Sequence, residues 1–195
     1  DELLAGRCLL MVANAAAHRT DPDTLAAAEA AAIEFERVCT ASPQNIQAHC
    51  FLSNARRLKA QTLGREGQRD AGIALLAVTA TDLRTQLAQH PRNRTICDQL
   101  AHTEHAIAVQ HRSAGQHAAA IPHLEEAVRL RREFRIIWPF RTVVVAELSK
   151  SLANLGSSLN LTGEPDRAIA LLEEVRHLLL EQLTVRPDVE EFEER

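Results

Sequence analysis

The sequence predicts an all-α fold, an α-solenoid of about four stacked antiparallel helix pairs. Three observations carry that expectation. Punctuating residues recur at one step: Pro43, Pro91, Pro139 and Pro187 are 48 residues apart, and so are Gly67, Gly115 and Gly163. Between them apolar residues return every three or four positions, as in Ile169, Leu172, Val175, Leu179 and Leu183, which is the period of one helix face. Aromatic residues make up only 3% of the chain and Tyr is absent, so a core must come from Leu, Ala, Ile and Val, a mix that favours helix over strand.

The repeat places the elements in order. Leu4, Leu52, Leu100 and Leu148 keep the 48-residue step, as do Leu25, Ile73, Ile121 and Ile169. Leu76, Leu124 and Leu172 continue it, with Ala28 in the first copy. Each copy reads as two helices, at 2–18 and 22–41, 46–65 and 68–89, 93–113 and 117–137, and 141–161 and 165–185. The glycine after each first helix supplies the left-handed backbone that closes it; the first copy has Arg19 there, beside "RTDPDT". Pro22 and Pro165 fall in the first turn of their second helices, where a missing N–H costs little, whereas Pro122 lies deeper and is expected to distort its turn.

Small residues flank each glycine. Gly156, Ala108 and Ala60 stand seven before it, and Ala168, Ala120 and Gly72 five after. They let the two helices of a pair approach toward the low end of the usual separation of roughly 8–10 Å. One hairpin cannot bury both its faces, so copies stack. The units read as 1–43, 44–91, 92–139 and 140–187 within one repeat domain over 1–195, and "DVEEFEER" at 188–195 reads as the start of a truncated fifth.

Composition bounds the function. The 195 residues are 46% hydrophobic and 25% charged, ordinary for a globular protein, and the seven Gly and seven Pro argue against a disordered chain. A net charge of −4 lacks the basic footprint of a nucleic-acid binder, and no apolar run is long enough to span a membrane. Cys8, Cys39, Cys50 and Cys97 include no C-x-x-C pair, which points to reduced, mostly buried thiols. With no signal peptide either, a cytoplasmic setting is expected. The chain lacks an initiating Met and starts inside an apparent helix, as a piece of a longer protein would. Two glycosylation tripeptides, at Asn93 and Asn160, read as chance.

The last unit carries a recognisable order of residues: Leu152, Leu155-Gly156, Leu159, Gly163, Ala168, Leu172. In it the sequence resembles a tetratricopeptide (TPR) array, and the third unit matches in "GQHAAAIPHLEEAVRL". The first unit matches least, with Val12 and Thr24 where the family has small residues, and Arg56 and Glu104 take the place of the usual Trp. The unit is longer than the common repeat of about 34 residues, which implies longer helices. Such long units resemble the TPR regions attached to bacterial serine/threonine protein kinases, although the chain has no Gly-rich phosphate loop, H-R-D or D-F-G.

The resemblance implies a right-handed superhelix, a protein–protein interaction module without catalysis, and a peptide held on the concave face of the first helices. Carried over by position, that face offers Asn54, Arg57, Gln61 and Arg65 in the second unit. The third offers His102, His105, Val109 and Arg112, and the fourth Lys150, Ala153, Ser157 and Asn160. No carboxylate is among these positions, so an acidic or phosphorylated protein segment is the expected partner. A set of carboxylate-clamp residues is not reproduced. Gly6, Leu9, Ala13, Ala16 and Ala17 make the first unit's face apolar, suited to an apolar ligand residue or, the favoured reading, to capping by an upstream part of the protein, and exposed end repeats could also self-associate.

Three other features yield weaker readings. Asp98, His102 and His105 share a helix face but spread over about 10 Å of axis, too far for one ion, so no metal or cofactor is expected. Cys97 stands off the face of His102 and His105, so no thiol catalysis is expected. "FRIIWPF", at 134–140, reads as packing at a joint between units, with a partner anchor as its alternative. The alternative to a binding module is a structural, regulatory or self-association segment of a larger signalling protein such as a kinase.

Overall fold

The computed structural model describes residues 2–18, 24–137, 139 and 141–185. Among them are eight α-helices and no strand: α1 Glu2–His18, α2 Thr24–Ala41, α3 Ile46–Arg65, α4 Arg69–Gln89, α5 Arg94–Ser113, α6 His117–Ile137, α7 Thr142–Leu161 and α8 Pro165–Val185. The expected fold class and helix spans stand, with ends shifted by a residue or two. Pro22, Pro187, Trp138, Phe140, the 188–195 tail and the side chains of Ala16 and Ala17 lie outside the described residues. Contacts gather into two compact units divided between Gln110 and His111, and each is taken by itself below.

Local chemistry explains where helices start and stop. Gly67, Gly115 and Gly163 all have positive φ, from 73° to 90°. In each turn the next residue's N–H closes back onto the helix: Gln68 onto the Leu63 carbonyl at 2.8 Å, and Gln116 and Glu164 onto those of His111 and Leu159 at 2.9 Å. These are Schellman closures, which occupy carbonyls that would otherwise lack partners. Helix starts repeat as well. Asn45 Oδ1 accepts from the Ala48 N–H and Asn93 Oδ1 from the Ile96 N–H, both at 3.1 Å, one repeat apart. Pro165 opens α8 as expected. Pro122 lies inside α6, which nevertheless runs unbroken from His117 to Ile137.

In the first unit α1 packs on α2, α2 on α3, and α3 on α4. Leu10, Ala13, Ala28, Ala31, Ala32, Phe35, Leu52, Ala55 and Leu58 form one buried cluster, and Phe51 stacks on Phe35 at 5.4 Å between centroids. The small residues act as expected at the α3–α4 contact, where a Cβ on Gly72 would sit 2.8 Å from the Ala60 carbonyl oxygen. In the second unit α6 packs on α7 and α7 on α8. There a Cβ on Gly156 would stand 3.4 Å from the Ala168 oxygen. The core of this unit is Leu124, Val128, Leu130, Leu148, Leu152, Leu155 and Leu159, with Ala120, Ala127 and Ala168 between them.

The first copy departs from the 48-residue step. Leu52, Leu100 and Leu148 are buried, but Leu4 is 56% exposed, and Val12, at the expected small-residue position, is exposed too. Ala13 takes the buried place instead, and a Cβ on Gly6 would meet the Phe35 ring at 2.8 Å. Gly6 and Ala13 therefore pack into the α1–α2 contact and do not line an open apolar face, which corrects that expectation. The Phe35 ring fills the space beside Gly6, so these positions are taken up by the contact with α2.

Charged residues hold several joints. Arg56 pairs with Glu36 of α2 at 3.0 Å and Asp82 of α4 at 2.6 Å. One repeat later the polarity inverts: Arg84 pairs at 2.5 Å with Glu104, which is only 1% exposed. In the second unit the buried Arg131 reaches Glu147 at 2.8 Å and the Ser151 hydroxyl, both on α7. These guanidinium–carboxylate pairs are tolerable at half-buried joints because each charge keeps a partner.

Candidate partner-binding face

The first-helix positions expected to meet a partner fall on α3, α5 and α7. In the first unit Arg57 is half-buried and donates to Asn54 Oδ1 at 2.7 Å, which braces both side chains along one turn of α3. Gln61 is half-buried, and Arg65, in the last turn of α3, is exposed. On α5, His102 is half-buried and lies 3.6 Å from the Asp98 carboxylate, so this stretch of the face does carry an acid. His105 is 7% exposed and offers little surface to a ligand. Val109 is exposed.

In the second unit Arg112 is held by contacts from the neighbouring first helix. Its guanidinium donates to the Asn154 side-chain oxygen and, at 3.4 Å, to the Ser157 hydroxyl. Both partners are neutral. Burial lowers the Arg112 pKa, the effect of withdrawing a cation from water with no anion supplied in return. Its Nε is buried without a hydrogen-bond partner. On α7, Lys150 and Asn160 are exposed, and Ser157 and Ala153 are half-buried beside them. Asn154 was not among the expected residues; only its place three before Ser157, one helical turn away, could have suggested it.

Other arginines of the second unit are neutralised. Arg167 pairs with Glu125 at 2.8 Å, Arg132 with Glu174 at 2.5 Å, and Arg135 with Glu181, which joins α6 to α8. Glu125, Arg132 and Arg167 of these pairs line a cleft of about 520 Å³ together with Val128, Leu155 and Leu171. The first unit has a shallower cleft of about 450 Å³ beside Glu36, Cys39, His49, Arg56, Asp82 and Gln86.

Among the described residues no group of three or more His, Cys, Asp or Glu converges to hold a metal ion. All four cysteines are free thiols; Cys50 is buried and Cys8 is exposed. Burial pushes the Cys39 and Cys50 thiols up to about 11, away from the thiolate that a nucleophile needs. Cys97 sits in the first turn of α5, nearer a helix start than expected. His123 stacks on His111 at 5.8 Å. No helix among the described residues is long and apolar enough to cross a membrane.

Fold and face together define a class, an all-α protein of repeated helix hairpins. No protein-family model matches the chain, and no curated protein does either. Among solved structures the chain is similar to a thermophilic TPR protein of Thermus thermophilus, with 18% identity over 93% of this chain and 95% of that one and a TM-score of 0.32.

Proposed function

We propose that the chain is a protein-interaction module that holds an acidic or phosphorylated segment of a partner on its first-helix faces. Arg57, Arg65, Arg112 and Lys150 supply the charge, and Asn54, Gln61, His102 and Asn160 supply hydrogen bonds. The observation that carries this reading is Arg112, a desolvated guanidinium held by Asn154 and Ser157 with no carboxylate among those contacts. A carboxylate or phosphate of the partner restores the charge compensation that burial removed, and a guanidinium fork can meet it with two hydrogen bonds. Because the face is prebuilt on helices, little ordering opposes binding.

The test is capture from a source lysate on this chain and, in parallel, on an Arg57→Glu/Arg112→Glu variant of equal thermal stability. A partner held by the first and lost by the second is the expected result, with retention falling as salt rises. The same partners on both baits would sink the basic-face reading. A second reading, a structural or self-association segment of a larger signalling protein such as a serine/threonine kinase, is favoured by the exposed leucines of α8.

A further inference from the structure

Arg7 of α1 was not among the residues expected to meet a partner. Its guanidinium carbon stands 5.6 Å from the centroid of the Phe51 ring of α3. Phe51 in turn stacks on Phe35 of α2, at 5.4 Å between centroids and 24° between planes. Phe35 is fully buried, Phe51 half-buried and Arg7 exposed, so the three make one column that rises from the core to the surface. The residue beside Arg7 lets the column form. A Cβ on Gly6 would meet the Phe35 ring at 2.8 Å, so a bare backbone at position 6 admits the lower ring while position 7 covers the upper one.

Covering a ring calls only for an apolar side chain, and a guanidinium there brings a charge as well. Among the described residues Arg7 makes no ion pair and no hydrogen bond. A guanidinium carries its five N–H donors on its edge. With its centre over an aromatic ring it is held by the ring's quadrupole, and that edge stays open to an anion. The same turn of α3 offers further donors. Asn54 follows Phe51 by three residues, which makes the two side chains neighbours on the helix surface. Asn54 Oδ1 accepts from Arg57 at 2.7 Å, and its Nδ2 has no partner among the described residues. Arg7 stands on the α3 side of α1, because the ring it covers belongs to α3. A segment packed on the opposite side of α1 would leave it open.

We propose that Arg7 is a further partner-contacting residue. Held on Phe51, it binds one oxoanion side chain of the partner segment, carboxylate or phosphate, together with the Asn54 amide. The inference rests on the basic-face reading above and adds α1 to that face. It also makes the position specific for arginine. A lysine ammonium would aim its charge at the ring and would lack the planar edge of donors.

The test is fluorescence polarisation of two labelled probes on this chain at low salt: octaglutamate, and a peptide of alternating phosphoserine and glycine. Wild type is expected to bind at least one. Arg7→Ala is expected to weaken that binding by about three- to tenfold. Arg7→Lys is expected to stay within about twofold of Arg7→Ala. Phe51→Leu keeps an apolar contact on Phe35 but removes the ring, and is expected to weaken binding by about two- to fivefold. In an Arg7→Ala background the same change is expected to add nothing, which separates positioning of Arg7 from a general loss of packing. A spectroscopic signature accompanies it. The Arg7 Nε–H resonance is displaced by the Phe51 ring current in the free protein, returns to its ordinary position in Phe51→Leu, and moves when a probe is added to wild type. An Arg7→Ala variant that binds as wild type does overturns the proposal. So does an Arg7→Lys variant equal to wild type, or a Phe51→Leu loss that is the same with and without Arg7. In those cases a loss of binding in Arg57→Glu/Arg112→Glu leaves the basic face standing. No binding of either probe by wild type overturns this site and the acidic-partner reading together.

Discussion

Gly72 and Gly156 stand on opposite sides of the same close contact in two hairpins, and the space around them differs. A Cβ on Gly72 would press on a backbone oxygen at 2.8 Å, which no rotamer change relieves. A Cβ on Gly156 would meet its nearest oxygen at 3.4 Å, ordinary contact. Ala is favoured by about 1 kcal/mol over Gly inside a helix. Forced separation of packed helices costs about 1–3 kcal/mol. Gly72→Ala is therefore expected to destabilise by up to about 2 kcal/mol, and Gly156→Ala to be neutral or stabilising by up to about 1 kcal/mol. Urea unfolding of the two variants checks this, and equal losses would show that the close approach at Gly72 does not govern stability. The small-residue pattern was plain in the sequence. Which member of it is indispensable was not, because a few tenths of an ångström between helix axes decide it.

Individual helices were legible nearly to the residue, since glycine, proline and apolar period all agree about them. What joins one helix to the next was not. Arg56 and Glu104 read as departures from an aromatic place, and the structure turns both into ion pairs between neighbouring helices. The two ends of the Arg84–Glu104 pair differ: Arg84 is half-exposed, while Glu104 is buried. Removing the arginine takes a cation away from a buried carboxylate, whereas removing the glutamate leaves an arginine that water can serve. Arg84→Ala is thus expected to cost about 1–3 kcal/mol. Glu104→Leu, which copies Leu152 one repeat on, is expected to stay within about 1 kcal/mol of wild type. Chemical denaturation of both variants reads the asymmetry, and the reverse order would show that Glu104 stabilises by more than its own burial costs.

For the molecule taken entire, the half-buried Cys39 and buried Cys50 thiols set a limit at high pH. Unfolded Cys39 and Cys50 titrate near 9.0, and burial raises both to about 11 in the fold. Between those values the unfolded chain releases protons that the folded chain keeps. By linkage, the stability from keeping the thiols neutral is fully present below about pH 9 and is lost as pH rises to about 11. A Cys39→Ala/Cys50→Ala variant should lose less of its thermal midpoint across that window than wild type does. Parallel declines would mean that other groups govern the alkaline limit.

The all-α class, the hairpin unit and its step are written in local signals along the chain: left-handed glycines, terminating prolines and a helical apolar period. The first-helix positions that carry the basic residues are marked there too. Folding in three dimensions settled the rest: Phe35 seats against Gly6, His105 is buried, and Arg112 rests on Asn154 and Ser157. Those outcomes depend on which side chains from distant positions arrive at one place, and on whether a charge finds an anion there. A 48-residue step predicts that neighbours will meet. It does not specify the rotation at which they do, because one residue of slip turns a helix face by about 100° with no change in its apolar count.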